Sequence, residues 1–379
     1  MRDCAEPSRL PRAETYFGLE GLKQLRRDWQ NLFARIPHPG FHLTWHYHEA
    51  LLRYGATHSR EVIFICLREE SGDPLAIVAL QPKQRRIARI PFLAWQQPDD
   101  PDRPSMDFLA APGADAKAVR TALVLELKKI RPDIDLLAAD RVREGSAAWR
   151  IASVGNPTFR AVEFRPAHYL LTNPSAESVM AAVGKGFRSD LRRRARKLQR
   201  AGLVEYRVHR DPEDINNAFD KFVALEAAGW KGNNPKGKAI ALSPKVHRKF
   251  SGVIELLSVS GACEIHSLWA GDECIAALIG FLGGGEMYSF KTTYNEAWKN
   301  VSPSQLLLEH VVRHCCDEAT IDTINFGWES KRIKPWNPLS CGLWAVYSGL
   351  GGWRSLFAAK LLTLRGADNA STIPEFTAD

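Results

Sequence analysis

The sequence predicts an α/β protein of the α+β kind, made of two domains that each hold a mixed, mostly antiparallel sheet flanked by helices. Three observations predict it. The chain has 379 residues, more than one hydrophobic core usually serves. Segments with apolar residues at helical spacing alternate along the chain with short continuous apolar runs. Several of those runs are joined by tight polar turns, which marks them as antiparallel hairpins.

In chain order, Leu22, Leu25, Trp29 and Leu32 mark an amphipathic helix, ended by the turn Pro37, His38, Pro39, Gly40. A second helix covers Trp45 to Tyr54, with His42, His46 and His48 in an aromatic-rich surface assigned to the first domain. Glu61 to Arg68 and Leu75 to Leu80 form a hairpin through Ser71, Gly72, Asp73 and Pro74. Gln96 to Pro104 is loop, Ala116 to Ile130 helix and Asp135 to Ala139 strand. After a basic helix the second half gives a strand at Val204 to His209, helices at Pro212 to Glu226 and Pro244 to Ser258, and a meander of Cys263 to Ala270, Ile275 to Leu282 and Met287 to Thr293. Helix Ser302 to Cys316, strand Thr323 to Phe326 and a last strand near Leu343 to Tyr347 follow. Each half thus reads as helix pair, antiparallel strands, helix, strand, although no repeat is visible in the residues themselves. The expected limits are 1–165, 166–348 and a terminal amphipathic helix with its tail at 349–379.

Lys and Arg exceed Asp and Glu by 51 to 43, a net charge of +8, which favours acidic partners such as phosphate-bearing cofactors, nucleic acid or anionic lipid. Much of the excess sits in FRSDLRRRARKLQRAG, residues 187–202. Phe187, Leu191, Ala195 and Leu198 form a narrow apolar seam there, and Arg188, Arg192 and their neighbours fan over the rest. That face is either a solvated surface or an attractor of phosphate. Seven cysteines lie far apart except for Cys315 and Cys316, with no CxxC pair, so a reducing cytoplasm is expected. No run of about 18 apolar residues offers a membrane span. The segment 349–366 places Trp353, Leu356, Phe357, Leu361 and Leu364 on one helical face with Arg354, Lys360 and Arg365 around it. Such a helix either packs on its own core or lies on anionic lipid at the inner face of a membrane.

The most informative junction is FKTTYNEAWKNVSPSQLLLEHVV, residues 290–312. A strand ends near Thr293, and a helix opens with Ser302 as N-cap, Pro303 at its first position, then Ser304 and Gln305. Unpaired amides and the positive end of the dipole make such a turn ready to hold a diphosphate. His310 and His314 stand four apart on that helix, a zinc-compatible spacing, but the glutamate of HExxH is missing and no metal is expected. The phosphate-binding motif GxxxxGK[ST] and a strand-linked GxGxxG are also missing, so nucleotide hydrolysis and dinucleotide redox chemistry lack support.

The order and spacing of FRSDLRRRARKLQRAG, LEAAGWKG with GKAI, IHSLWAGDECIAALIGFLGGGEMYSFKTTYNEAWKNVSPSQLLLEHVV and INFGWESKRIKPW resemble the BioF2-like/CelD-type acetyltransferase family of the GNAT superfamily, related to the Fem-type aminoacyltransferases. The resemblance spans about 180–340, and GDPLAIVAL and SMDFLAAPG resemble the family's first domain. It implies tandem GNAT-like domains, with acetyl-CoA or a longer acyl-CoA on the second and the acceptor amine between them. The CoA diphosphate would map onto Val301, Ser302, Ser304 and Gln305. Lys231, Lys331, Arg332 and Lys334 sit in loops where they could meet CoA phosphates or an anionic acceptor, or simply be solvated charges. The superfamily's glycine-rich loop is here NVSPSQ, and a tyrosine-lysine pair common in the family appears as SKRIKPW.

Acyl transfer from a thioester needs a neutral amine, a stabilised oxyanion and a proton for the thiolate. Glu226 or His266 is the expected base, Tyr294 the proton donor, and Lys291 the orienter or oxyanion partner. The plain alternatives are a helix-end salt bridge for Glu226, a hydrogen-bonded structural histidine, and an ordinary strand end. Arg188, Arg192, Trp230, Lys231 and Asp107 are expected to meet the acceptor, a small-molecule or lipid amine such as an amino sugar or a long-chain amine. Two rival readings stay open: aminoacyl transfer from charged tRNA, as in the Fem-type relatives, and a non-catalytic nucleic-acid binder built on the basic helix. The second is weakened because no aromatic residues interleave with its arginines.

Overall fold

The hairpin expected around Gly72 seeds the first of two sheets in the computed structural model, which describes residues 10–55, 59–98, 100, 102–173, 175–233 and 239–368. Residues 234–238 of the glycine-rich loop, and positions 99 and 101 of the loop after Gln96, lie outside them. The chain divides into two compact units. One comprises Met1–Pro37, Ala56–Arg165 and Gly342–Asp379, the other His38–Gly55 and Pro166–Cys341. Elements are numbered along the chain.

In the first unit, β1 (Arg12–Phe17), α1 (Gly18–Gln24) and α2 (Arg26–Arg35) precede β2 (Ile63–Arg68), β3 (Pro74–Ile87), β4 (Ile90–Gln96) and the short β5 (Leu109–Ala110). Then come α4 (Ala116–Ile130), β6 (Leu136–Val142), α5 (Ala147–Ser153), β7 (Arg160–Glu163) and, from the far end of the chain, β15 (Trp344–Gly349) and α12 (Trp353–Asp368). The sheet order is β1-β2-β3-β4-β6-β15-β7, with β5 beside β3. Only β4 and β6 among these strands run parallel. Strand β3 outruns its expected end at Leu80 because Arg85 turns inward and pairs with buried Asp140 at 2.5 Å. Pro82 is tolerated there because β3, past Leu80, pairs with β4 alone and needs no donor on its other side.

In the second unit, α3 (Trp45–Tyr54) is followed by β8 (Ala167–Leu171), α6 (Ala176–Ala182), α7 (Lys185–Gln199), β9 (Val204–His209), α8 (Pro212–Ala228) and α9 (Trp230–Asn233). Helix α10 (Pro244–Val259), β10 (Cys263–Ala270), β11 (Glu273–Gly283), β12 (Glu286–Tyr294), α11 (Pro303–Asp317), β13 (Thr323–Gly327) and β14 (Leu339–Cys341) complete it. The sheet order is β9-β10-β11-β12-β13-β8-β14, again with one parallel pair, β12 and β13. Strand alternation sends Ile265, Ile279 and Phe281 to a core with α8 and α10, and Leu268, Leu278 and Met287 to a core under α11. The seam of α7 joins the second core: Leu191 and Leu198 are buried and Phe187 stands edge-on to Trp336 at 5.6 Å. Gly283 and Gly284 let residues 38–41 pass against the β11–β12 turn, where a Cβ would strike backbone. Residues 38–55 therefore belong to this unit, and His42 and His48 are buried in it.

Both sheets follow one plan of four antiparallel strands, a parallel fifth and two more antiparallel. The expected limit at 165 falls where the units divide, whereas the one at 348 lies inside β15 and residues 38–55 sit in the second unit, because chain order and sheet order part company. The last two partners in each sheet come from distant segments: β15 returns to pair with β6 and β7, and β8 pairs with β13 and β14.

Candidate active site

Two strand irregularities shape the site. Ile279 faces Lys291 while Gly280 faces Ser289, so Phe290 is an extra residue and β12 bulges there. Strand β12 also pairs with β13 only from Glu286 to Tyr288, and leaves it afterwards. The Asn295 amide bonds Ile275 O at 2.9 Å. Counting back by twos, Thr293 and Lys291 turn their backbone groups to β11, and Thr292 and Tyr294 turn theirs to the side without a partner strand. Strand β12 thus offers an open edge next to its bulge, with amides able to meet a carbonyl or an extended ligand.

Helix α11 starts beyond this edge. Ser302 precedes it with φ 49° and ψ 62°, a left-handed backbone, and its side chain makes no capping bond. The expected N-cap bond is therefore not formed, because a capping side chain needs an extended backbone at that position. The Ser302 carbonyl accepts from the Gln305 and Leu306 amides at 2.9 and 3.3 Å. Pro303 has no amide, so the Ser304 amide is the first-turn donor not spent on the chain. Val301 is buried under α11. The Gln305 side chain is committed elsewhere: its Nε2 donates to Arg332 O at 2.7 Å and its Oε1 accepts from the Trp336 indole at 2.8 Å. It anchors the 330–336 loop instead of reaching a cofactor.

The residues predicted for catalysis do not all meet. Glu226 is 1% exposed and both its oxygens are engaged, one by Lys231 Nζ at 2.9 Å and one by the Ile240 amide at 2.8 Å. This is the helix-end salt bridge, with each carboxylate oxygen already accepting one hydrogen bond inside the core. Lys231 also donates to Thr292 O at 3.3 Å, so its ammonium stands at the open edge. Lys291 lies over the Phe250 and Phe290 rings at 5.3 and 5.7 Å. Tyr294, three residues on, packs against the core under α11. The two therefore occupy opposite faces of β12, not one.

His266 is wholly buried two strands away, on the α11 face of β10. Its Nδ1 bonds the Tyr206 hydroxyl and its Nε2 bonds Glu264 at 2.7 Å. Burial lowers its pKa. For Glu264 burial works upward, but hydrogen bonds from His266 and His314 outweigh it and hold the carboxyl well below its usual range. The ligand atoms of Glu264, His266 and His314 lie within 4.8 Å of one another, a spacing a metal could use. Arg210 already serves the group, at 3.3 Å from Glu264 and 3.0 Å from His314. His310, paired with His314 in the sequence reading, stacks instead on Tyr206 at 4.9 Å. This assembly is a buried clasp between β10 and α11, remote from the open edge.

Of the other expected contacts, Trp230 is 57% exposed and its amide donates to Glu296. Lys331 and Lys334 are exposed. Arg192 faces solvent and Arg188 is half-buried, and neither has an ion pair to the groove residues among those described. Asp107 lies in the first unit, where its Oδ1 accepts from the amides of Phe108 and Ala148 at 2.8 and 2.7 Å. Burial raises its pKa, and the residue fastens the start of α5. Arg332, expected with Lys331 and Lys334 as a loop charge, is drawn inward where they are not. Its Nη2 lies 3.4 Å from Ser289 Oγ, its Nη1 is sealed from water without a partner, and burial lowers its pKa to about 10.

Residues 185–334 match the sequence profile of the acetyltransferase (GNAT) domain. No curated protein matches the chain. Among solved structures, FemX shares 11% identity over 75% of this chain and 87% of its own, with a TM-score of 0.52. The C-terminal domain of a putative lysylphosphatidylglycerol synthetase from Agrobacterium fabrum shares 12% over 90% and 97%, also at 0.52. L-PGS from Bacillus licheniformis shares 13% over 90% and 96%, again at 0.52. These likenesses establish a common fold, and the profile match places the acetyltransferase domain around the bulged strand and the helix after it. Residues 185–334 therefore form an acetyltransferase domain of the GNAT type, within a fold that the chain shares with FemX and the lysylphosphatidylglycerol synthetase domains.

Proposed function

We propose that the chain transfers an acetyl or longer acyl group from acyl-CoA to an amine, either an amino sugar or a long-chain or lipid amine. The observation that carries this reading is the open edge of β12 beside its bulge, followed by a helix whose Ser304 amide is unspent. The diphosphate sits on that amide and the dipole of α11. The pantetheine arm pairs with the outward backbone of Thr292 and Tyr294, and an amide beside the bulge meets the thioester oxygen. Lys231, at the edge through Thr292 O, takes the oxyanion role expected of Lys291. Tyr294 gives its phenolic proton to the leaving thiolate and is reprotonated from water. The amine loses its proton to water, because Glu226 and His266 are committed. A thioester is already activated, so positioning and charge supply most of the rate.

One further observation favours a lipidic acceptor. On α12, Ser355, Ala358, Ala359 and Leu362 face the core, while Trp353, Leu356 and Leu364 are 70%, 61% and 56% exposed. Arg354, Lys360 and Arg365 flank that exposed stripe, a pattern suited to an anionic membrane surface. Vesicles containing phosphatidylglycerol should sediment the chain, and Leu356→Ser with Leu364→Ser should release it without lowering its unfolding temperature.

The catalytic reading is tested by incubation with labelled acetyl-CoA, decanoyl-CoA or charged tRNA and a panel of amino sugars and long-chain amines, with products identified by mass spectrometry. A new amide from an acyl-CoA supports it. Transfer from tRNA alone replaces it by the Fem-type alternative, and binding of polynucleotide without any transfer replaces it by the non-catalytic one.

A further inference from the structure

A guanidinium shut away from water normally has a carboxylate beside it, because the charge loses its hydration and must be compensated. Arg332, half-buried as a residue, has none among the described residues: its Nη1 is sealed and unpartnered, and its one side-chain contact is a long bond to the neutral Ser289 hydroxyl. Glu329, three residues earlier, is exposed and does not pair with it. The loop that carries Arg332 is firmly built, with Ile333 and Trp336 each 1% exposed and the Arg332 carbonyl gripped by Gln305. The side chain is thus held in its uncompensated position. It meets β12 at Ser289, the residue before the bulge and the first after β12 leaves β13.

A second polar atom on this face is also unsatisfied. The register puts Gly280 opposite Ser289 and Leu278 opposite Thr292, so the bulge keeps both side chains on the α11 side of the strand. Thr292 Oγ1 is buried without a partner. One cation and one hydroxyl are therefore both waiting for acceptor groups along the same short stretch of β12.

We infer that Arg332, with Ser289 beside it and Thr292 on the same face of β12, is the receptor for an anionic group, a carboxylate or a phosphate, on the acyl acceptor. This rests on the acyl-CoA reading for its placement: the diphosphate of the donor lies at Ser304, which leaves the bulge end of the strand to the acceptor. The acceptor is then an amine that also carries a negative charge, such as an amino acid, an amino-sugar phosphate or an aminophospholipid headgroup, and a neutral long-chain amine is disfavoured. The flanking Lys331 and Lys334, both exposed, add attractive field for such a group.

The test uses the full chain saturated with CoA, so that the phosphate site at Ser304 is filled, and follows the unfolding temperature while inorganic phosphate or acetate is added. The wild type should gain stability saturably at millimolar anion, whereas Arg332→Met should not respond and should match or exceed the wild type without anion, since it removes an uncompensated charge. Arg332→Lys, the second variant, should keep a weakened response. An equal response in wild type and Arg332→Met overturns the inference, as does an Arg332→Met chain that is less stable than Arg332→Lys in the absence of anion. If CoA itself fails to bind, the acyl-CoA reading falls, while the difference between wild type and Arg332→Met in phosphate alone still decides the role of Arg332. Acceptor amines with and without a phosphate then tell which source supplies the anion: a KM lowered at least tenfold by the phosphate, and only with Arg332 present, assigns it to the acceptor, and an equal KM overturns that assignment.

Discussion

Ser302 concentrates the tension between what the sequence says and what the backbone does. Ser-Pro-Ser-Gln is good grammar for a helix start, and α11 begins where it predicts. The same letters fit an extended capping serine or a left-handed one, and only the packing of Val301 and Pro303 beneath α11 decides between them. A left-handed serine costs about 1–2 kcal/mol relative to the right-handed form, and glycine escapes that cost. Ser302→Gly should therefore raise stability by up to about 1 kcal/mol, since glycine's looser unfolded chain takes part of the gain back. Urea unfolding checks it, and a loss of stability would show that the Ser302 side chain holds something. Glu226 teaches a similar lesson: a carboxylate before a glycine loop reads equally as base or as clamp, and burial settles it. Glu226→Ala should cost about 3 kcal/mol by stranding Lys231. Glu226→Gln with Lys231→Met should recover much of that loss in stability and still transfer acyl groups slowly, because the oxyanion partner is missing. Full turnover in the double variant would end the role given to Lys231.

Elements were more legible than the pairings between them. The limits of α3, α4, β9 and β10 follow from periodicity and caps, because each is amphipathic or uniformly apolar over its whole length. Strand β4 was missed, since the polar run before it hides the inward turn of Arg85. The bulge in β12 has no letter of its own; it appears only when β11 supplies the register. The clasp between β10 and α11 was also invisible, as Glu264, His266 and His314 come together through strand alternation and helix packing. It has a pH signature. Both Glu264 and His266 titrate below their usual values, so the folded chain resists protons that the unfolded chain accepts. Their stabilisation is complete above the ordinary values of 4.5 and 6.5, and is lost as pH falls through the lowered ones. The urea midpoint should therefore drop between pH 7 and pH 5, and His266→Gln should start lower and fall less steeply over that range. A parallel pair of curves would mean that His266 is not the group being protonated.

At the scale of the whole molecule, the sequence told two similar halves from their order of elements, and both sheets do follow one plan. It placed the second limit at 348, inside β15, because strands were read as belonging with their neighbours in the chain. Sheet pairing is a long-range choice, and β15 satisfies its backbone with β6 and β7, nearly 200 residues upstream. Removing residues 342–379 should consequently strip the first unit of the strand between β6 and β7 and of α12, leaving Leu136 and Ala138 uncovered. That truncated chain should lose one of two unfolding transitions in calorimetry, whereas two intact transitions would show that the first unit stands without its returning strand. Acyl transfer from CoA at this edge depends on the start of α11 holding the donor's phosphates. The most direct measurement is titration calorimetry of acetyl-CoA into the wild type and into Ser304→Glu, a change that suits the helix dipole but sets a negative charge where the diphosphate would lie. We expect binding in the wild type and at least a tenfold loss in Ser304→Glu at unchanged unfolding temperature; equal heats in both, or none in the wild type, would contradict the account.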